Sequence, residues 1–460
     1  MKQILITGDR SGSGKTSITL ALTALLAKKY RVQTFKVGMD YIDPSYLSAA
    51  SGRPCRNLDS FALSTDQIHE IFSYGCRDAD IVIVEGVRGL YEGAEALTDV
   101  GSTAAIAKEL DLPAILVVSA QSITRSAAAL VKGFQAFDPK IRIVGVILNN
   151  VKGGSHKAKA TAAIEHYCGV PVIGAIPRMD EMQLTMRHLG LVPYREGAGK
   201  GDFDTRIRTI TDMIEQYVDL ERLLSLMKDS NVPSQSSLSF ERTMKPDVKI
   251  GVAFDEAFNF YYADLFDVLL SLGAEPIMFS PVHERLPDAD GYIIGGGYPE
   301  LYARELESNH EMRDAIRAVS KNGTPIYAEC GGLMYLTDRI VLNAGWQGAA
   351  DKQDYAMCGV FSGETRMPAR RVVSYVTGTS DASSPVGAAQ FHGHEFHHSD
   401  VVLSHDTRYA YRLSRGIGIR DNLDGAVIDN TLGSYTHLHP VGCRGMFEHF
   451  VKTCRKKNGV

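Results

Sequence analysis

Cysteine is scarce in this chain. There are seven among 460 residues, an odd number, and no two are spaced C-x-x-C. That pattern excludes a disulfide framework and a zinc ribbon, and reduced thiols fit the cytoplasm. A basic surplus is also missing: 49 Lys and Arg stand against 54 Asp and Glu, a net charge of −5. Nucleic acid is therefore not an expected partner. No apolar run approaches the roughly 18 residues that cross a bilayer, so no membrane partner is expected. The opening MKQILITGDRSGSGKT has too short an apolar stretch for a signal peptide. What is present is ordinary for a globular protein, with 44% apolar and 22% charged residues. At roughly 150 residues per domain, the length suggests two or three domains.

The first half alternates short Val/Ile runs with helical stretches. Strands are predicted at 3–7, 32–37, 80–84, 114–118, 143–148 and 171–176, and helices at 15–29, 102–110 and 124–136. Continuous apolar strands separated by helices imply a parallel sheet covered on both faces. That is a doubly wound α/β domain, which binds ligands outside the carboxyl ends of its strands. Residues 228–246 are polar and Ser-rich and read as a linker between domains at 1–227 and 247–455. The second domain is again α/β, with strands predicted at 248–254, 276–279 and 291–294.

The segment ILITGDRSGSGKT joins a strand to a helix through a glycine-rich turn. Small residues there let backbone N–H groups converge on phosphate oxygens at a helix N-terminus. Gly12, Ser13, Gly14, Lys15 and Thr16 are the candidate phosphate cradle, with Lys15 reaching the β/γ-phosphates of ATP and Thr16 binding Mg²⁺. The spacing is unusual, since five residues separate Gly8 from Gly14. Downstream, KVGMDYIDP places Lys36, Asp40 and Asp43 at one strand end, and VEGVRGLYEG places Glu85 at another. Asp43 and Glu85 are candidate Mg²⁺ ligands, and Lys36 a partner for phosphoryl charge.

In TPIYAECGGLMYL an apolar strand ends in a sharp turn at Glu329-Cys330-Gly331-Gly332. A cysteine on such a turn is expected to project into solvent at a helix N-terminus as an activated nucleophile. Gly331, together with Gly296 and Gly297 of IIGGGYPELY, can supply oxyanion donors. In GSYTHLHP, His437 and His439 are the candidate bases: one deprotonates Cys330 and the other orients it.

AECGGLMYL, GGGYPE and SYTHLH resemble the class I glutamine amidotransferase module. Combined with SGSGKT, KVGMDYIDP and EGVRGLYEG, they resemble the cobyrinate a,c-diamide synthase family over nearly the whole chain, from Gly8 to His439. The resemblance implies a dethiobiotin-synthetase-like P-loop domain followed by a glutaminase domain. It also implies ATP-dependent, glutamine-hydrolysing amidation of the a and c acetates of a polycarboxylate tetrapyrrole. EGVRGLYEG, SITRSAAAL and MRHLGL are most similar to the methanogen branch, which acts on Ni-sirohydrochlorin in coenzyme F430 biosynthesis; cobyrinate, in cobalamin synthesis, is the alternative. The usual triad ends His-x-Glu. Here His437-Leu438-His439 leaves the third member as His or absent, with His437 the expected base. Asp40, Tyr41, Arg88, Arg125, Arg187 and His188 are the candidates for holding the anionic substrate, and a homodimer is the expected assembly. Ammonia is mostly protonated at neutral pH, so a sheltered route between the two sites is expected.

One motif is a decoy. His394-Glu395-Phe396-His397-His398 matches the zincin pattern, but its flanks read as strand rather than the helix that zinc binding needs. The Arg370-Arg371 pair reads as a solvated face. Two other classes compete with the amidating ligase: a P-loop ATPase switch carrying an inactive glutaminase-like domain, and a dethiobiotin-synthetase-like carboxylase, which would leave 247–455 without a use.

Overall fold

The computed structural model describes all residues except 179–185, 188–189, 192–193, 195–200, 231–238, 243–244 and 458–460. The chain divides into two compact units, Met1–Ser237 and Leu238–Val460. Among the described residues, no helix is long and apolar enough to cross a membrane.

The first unit is built on β1 (Lys2–Gly8), α1 (Lys15–Ala27), β2 (Val32–Val37), α2 (Ile42–Ser51), β3 (Arg56–Leu58), α3 (Thr65–Gly75), β4 (Ile81–Glu85), α4 (Thr103–Glu109), β5 (Ala114–Ser119), α5 (Arg125–Phe137), β6 (Ile143–Val151), α6 (Gly154–Cys168) and β7 (Val172–Pro177). The strands pair in the order β3-β2-β4-β1-β5-β6-β7, all parallel. β2 and β4 are buried along their whole length, as unbroken apolar strands covered on both faces must be. The order places β1 mid-sheet, so the turn after it opens at the carboxyl edge where such folds bind ligands. Ser64 and Gln67 form a reciprocal capping box that starts α3.

Two details differ from the sequence reading. The three-residue β3 carries too little apolar pattern to stand out. Lys228–Asp229, assigned above to the linker, pairs antiparallel with β1; backbone pairing needs no apolar side chains, so composition alone misplaces it.

In the second unit the described strands are β8 (Val248–Ala253), β9 (Phe258–Phe260), β10 (Ala274–Phe279), β11 (Gly291–Ile294), β12 (Gly296–Gly297) and β13 (Ile326–Glu329), then, after α7 (Gly331–Leu336), β14 (Val372–Ser380), β15 (Ala389–His397), β16 (Arg408–Arg415), β17 (Leu423–Ile428), β18 (Thr431–Ser434) and β19 (His437–Leu438). Ten of them form one sheet in the order β10-β8-β11-β13-β18-β17-β16-β14-β15-β19. The pairs from β10 to β18 are parallel; the rest are antiparallel. Only Tyr435 and Thr436 separate β18 from β19. The antiparallel strands therefore lead back to the place where the parallel half ends. A separate four-stranded sheet combines Thr337–Leu342, Gln353–Ala356, Phe361–Met367 and Asp400–Leu403.

Leu116, in the middle of β5, is 0% exposed. Leu116→Ala is expected to lower stability by about 2–5 kcal/mol, read as an earlier urea transition of the full chain.

Candidate active site

In the first unit the carboxyl edge of the sheet gathers the charged groups. The turn after β1 ends at Gly14, whose φ of 94° suits glycine; a Cβ there would lie 2.2 Å from Asn149 Nδ2. That amide donates to the Ser13 carbonyl at 2.9 Å, so β6 braces the loop from behind. The Thr16 hydroxyl donates to Glu85 Oε1 at 2.7 Å and lies 3.2 Å from Asp43 Oδ2. Lys36 lies within β2 and is 1% exposed, not an open strand-end lysine. Its ammonium donates to Asp43, to Glu85 at 2.9 Å and to the Gly86 carbonyl at 3.2 Å.

The charges are mutually dependent. Burial opposes the Lys36 charge, but Asp43, Glu85 and Asp40 outweigh it and push its pKa up. Burial, helped by the neighbouring Lys36, lowers the Lys15 pKa. Burial and the adjacent Asp43 push Asp40 up to about 7, against the pull of Lys36. Asp40 Oδ1 also accepts from the Ile42 and Asp43 backbone N–H groups at the start of α2. Glu85 Oε2 is buried without a hydrogen-bond partner. An orphaned carboxylate oxygen beside a threonine hydroxyl and a second carboxylate is a donor set that suits Mg²⁺. Among the described residues no three His, Cys, Asp or Glu converge as a self-sufficient metal site, so phosphate and water would complete the shell.

The remaining candidates in this unit are less gathered. Tyr41 is buried beside Asp40. Arg88 is exposed, with φ 49°. Arg125 is exposed, and its guanidinium is taken up by Tyr167, through a 2.8 Å hydrogen bond and a stack over the ring. Arg187 lies in a two-residue strand, and His188 falls outside the described residues.

In the second unit β13 ends at Glu329 and α7 begins at Gly331, leaving Cys330 on the elbow with φ 47° and ψ −98°. A non-glycine residue there stores about 1–3 kcal/mol of strain. The expectation of a solvent-projecting thiol is corrected: Cys330 is 5% exposed. β15 closes over it, and the Phe396 carbonyl lies 3.7 Å from Sγ. The two glycine turns do meet. A Cβ on Gly331 would lie 3.0 Å from Gly297 N, and one on Gly296 would lie 2.7 Å from His437 Cε1.

Cys330 acts on the charge of His437 and, with Glu329, favours its protonated form. The orienting partner of the imidazole is Glu329, which precedes the cysteine, and not His439. His437 Nδ1 lies 3.0 Å from Glu329 Oε2, and Glu329 Oε1 accepts from Tyr327 and from the Leu438 N–H. His439 instead places Nε2 3.6 Å from Asp264 and packs against Tyr262. The reason is where the strand ends: residues 437 and 439 share strand parity, but β19 stops at Leu438 and the chain turns away before His439. Burial disfavours a charged His437, yet Cys330 and Glu329 outweigh it and push its pKa up to about 10. The imidazole is thus held protonated at neutral pH.

The HExxH segment is strand, as its flanks indicated. His394 pairs in register with His437 and stacks on its ring, centroids 4.9 Å apart. Glu395 accepts from the Ile417 and Gly418 N–H groups. Arg371 lies over the Phe396 ring. Sequence reading missed Glu329, Tyr327 and Asn149 as site residues. The period-two spacing of Tyr327 and Glu329 before the cysteine was the available signal.

Two family models match: a CobQ/CobB/MinD/ParA nucleotide-binding domain over residues 4–192 and a CobB/CobQ-like glutamine amidotransferase domain over 249–442. Similar proteins named cobyrinate a,c-diamide synthase occur in Methanosarcina acetivorans, 48% identical over 99% of this chain and 95% of its own. One from Methanosarcina barkeri is 48% identical, over 98% and 96%. One from Methanothermobacter thermautotrophicus is 41% identical, over 98% and 99%. The chain belongs to the cobyrinate a,c-diamide synthase family. It is accordingly a glutamine-dependent amidating ligase with a nucleotide-binding P-loop domain and a glutamine amidotransferase domain. In that family frame, the cysteine elbow and the phosphate cradle fall in separate matched domains.

His437 carries a pKa raised above its ordinary 6.5, so its charge-dependent stabilisation is complete below that value and is lost as pH rises through about 10. Glutamine hydrolysis is expected to hold across neutral pH and fall near pH 10. Glu329→Gln should lower kcat by about 10²- to 10⁴-fold and move that alkaline limb to lower pH, measured as glutamate release across a pH series.

Proposed function

We propose that this protein amidates the a and c acetate groups of a tetrapyrrole, with ATP activating each carboxylate and glutamine supplying ammonia. The observation that carries the reading is the paired Cys330–His437–Glu329 arrangement in a chain that also holds the Lys15–Thr16 cradle. Cys330 attacks the glutamine amide carbon. His437, already protonated, gives its proton to the departing ammonia and then activates the water that clears the thioester. Gly297 and Gly331 N–H groups hold the oxyanion. Gly12, Ser13, Gly14 and Lys15 cradle the ATP phosphates. A substrate acetate oxygen attacks the γ-phosphorus to give an acyl phosphate, which ammonia displaces. Thr16, Asp43 and Glu85 would hold Mg²⁺, which supplies charge neutralisation at the phosphates when bound. Lys36 holds Asp43 ionised against burial and fixes Glu85 in place through a direct hydrogen bond. Asp40, Tyr41, Arg88, Arg125 and Arg187 with His188 are the residues proposed for the substrate side, the chain acting as a cytoplasmic homodimer.

We favour Ni-sirohydrochlorin as the ring, on the resemblance of EGVRGLYEG, SITRSAAAL and MRHLGL to the methanogen branch. The printed name of the relatives favours cobyrinate as the second reading. Incubating the enzyme with each ring, ATP, Mg²⁺ and glutamine separates them. Each amidation replaces a hydroxyl by an amino group, so the true substrate loses about one mass unit twice.

Cys330→Ala is expected to lose glutamine-supported amidation by about 10⁴-fold or more while retaining amidation supported by ammonium salts. Lys15→Ala should lose amidation with either nitrogen source by at least about 10²-fold. A Cys330→Ala protein that is inactive with ammonium as well would overturn this division of labour.

A further inference from the structure

His397, the last residue of β15, has no role in the chemistry described so far. It is 5% exposed. Its Nδ1 lies 3.0 Å from the Ser399 carbonyl oxygen, which can only accept, so Nδ1 carries the proton. Nε2 is then a bare acceptor, and it is buried with no hydrogen-bond partner. The ring lies flat on Tyr435, with centroids 3.7 Å apart and planes 9° from parallel. Burial pushes the imidazole down to about 4, so it remains neutral in the working pH range.

Its neighbours are those of the nucleophile. The preceding residue, Phe396, turns its carbonyl to Cys330 Sγ. Tyr435, beneath the ring, feels the charge of Cys330, and His397 itself feels that of His437. An unsatisfied buried acceptor is rare in a folded protein, and one beside a nucleophile points to a donor brought by the ligand.

Resting on the reading of Cys330 as a glutamine-hydrolysing nucleophile, we infer that His397 recognises the side-chain amide of glutamine, its Nε2 accepting a hydrogen bond from the NH₂ group. The carboxamide needs both kinds of partner. Its oxygen takes the glycine N–H donors, and its nitrogen, with two N–H bonds, needs an acceptor. Glutamate brings no such hydrogen and would set oxygen lone pairs against the Nε2 lone pair. The residue thereby discriminates glutamine from its own hydrolysis product. Sites built to pair with a ligand's N–H reject analogues lacking it far better than sites that judge size.

The test compares glutamine with glutamate γ-methyl ester, which forms the same thioester but has no amide N–H. Both are assayed on one preparation, so the ratio of their kcat/KM values does not depend on the fraction folded. His397→Phe keeps the stack on Tyr435 and removes the acceptor. It is expected to lower kcat/KM for glutamine by about 10- to 100-fold, mainly through KM, and to change that for the ester less than about threefold. His397→Gln, which restores an acceptor oxygen, should recover much of the amide preference. Equal losses on both substrates, or an unchanged ratio, overturn the inference and leave Cys330 chemistry standing. A wild-type protein that releases glutamate from neither substrate overturns the glutaminase reading itself and this inference with it.

Discussion

The contact between His437 and Glu329 is the constraint on which the second unit depends. It ties the end of the last short strand to the residue before the nucleophile, and both groups are almost wholly buried. An isolated ion pair in such a place is costly unless its remaining hydrogen-bonding positions are filled. On the carboxylate they are: Glu329 accepts from Tyr327 and Leu438 as well as meeting His437, while Cys330 acts on the charge of the imidazole. Asp424 supports the same corner: it accepts from the Tyr435 and Thr436 N–H groups and the Thr436 hydroxyl. The turn that delivers His437 is thereby held from behind. The strained Cys330 backbone persists because this surrounding network and the helix after it leave no alternative path.

The first unit solves a related problem with opposite emphasis. Its buried cation, Lys36, sits among three carboxylates, of which Asp43 and Glu85 also receive Thr16. The site sets three carboxylates against two lysines and leaves Glu85 Oε2 unpartnered. A cradle so arranged is complete only when cation and phosphate arrive together, which is the electrostatic form of a nucleotide site.

Much of this was legible before any coordinates. The period-two and helical patterns around the glycine turns located β1 and α1, and β13 and α7, because strand–turn–helix junctions need small residues whatever their neighbours. The HExxH decoy was rejected on its flanks, and it is a strand. Other features were opaque for identifiable reasons. Cys330 is expected in solvent from sequence, but β15 covers it, and the carbonyl that meets the sulfur belongs to Phe396, far downstream in the chain. Glu329 reads as part of a turn, although its carboxylate is the one that meets His437. Composition gave no sign that Lys36 is buried, since its burial is made tolerable by Asp43 and Glu85, distant in sequence.

By itself the sequence determined the two α/β units, the phosphate loop and the identities of thiol and imidazole, because these rest on local periodicity and on residue chemistry. Only tertiary structure decided which histidine meets the sulfur, which carboxylate orients it and which lone pair is left for a ligand. Those depend on register between strands far apart in the chain, where one residue's shift turns a side chain to the opposite face.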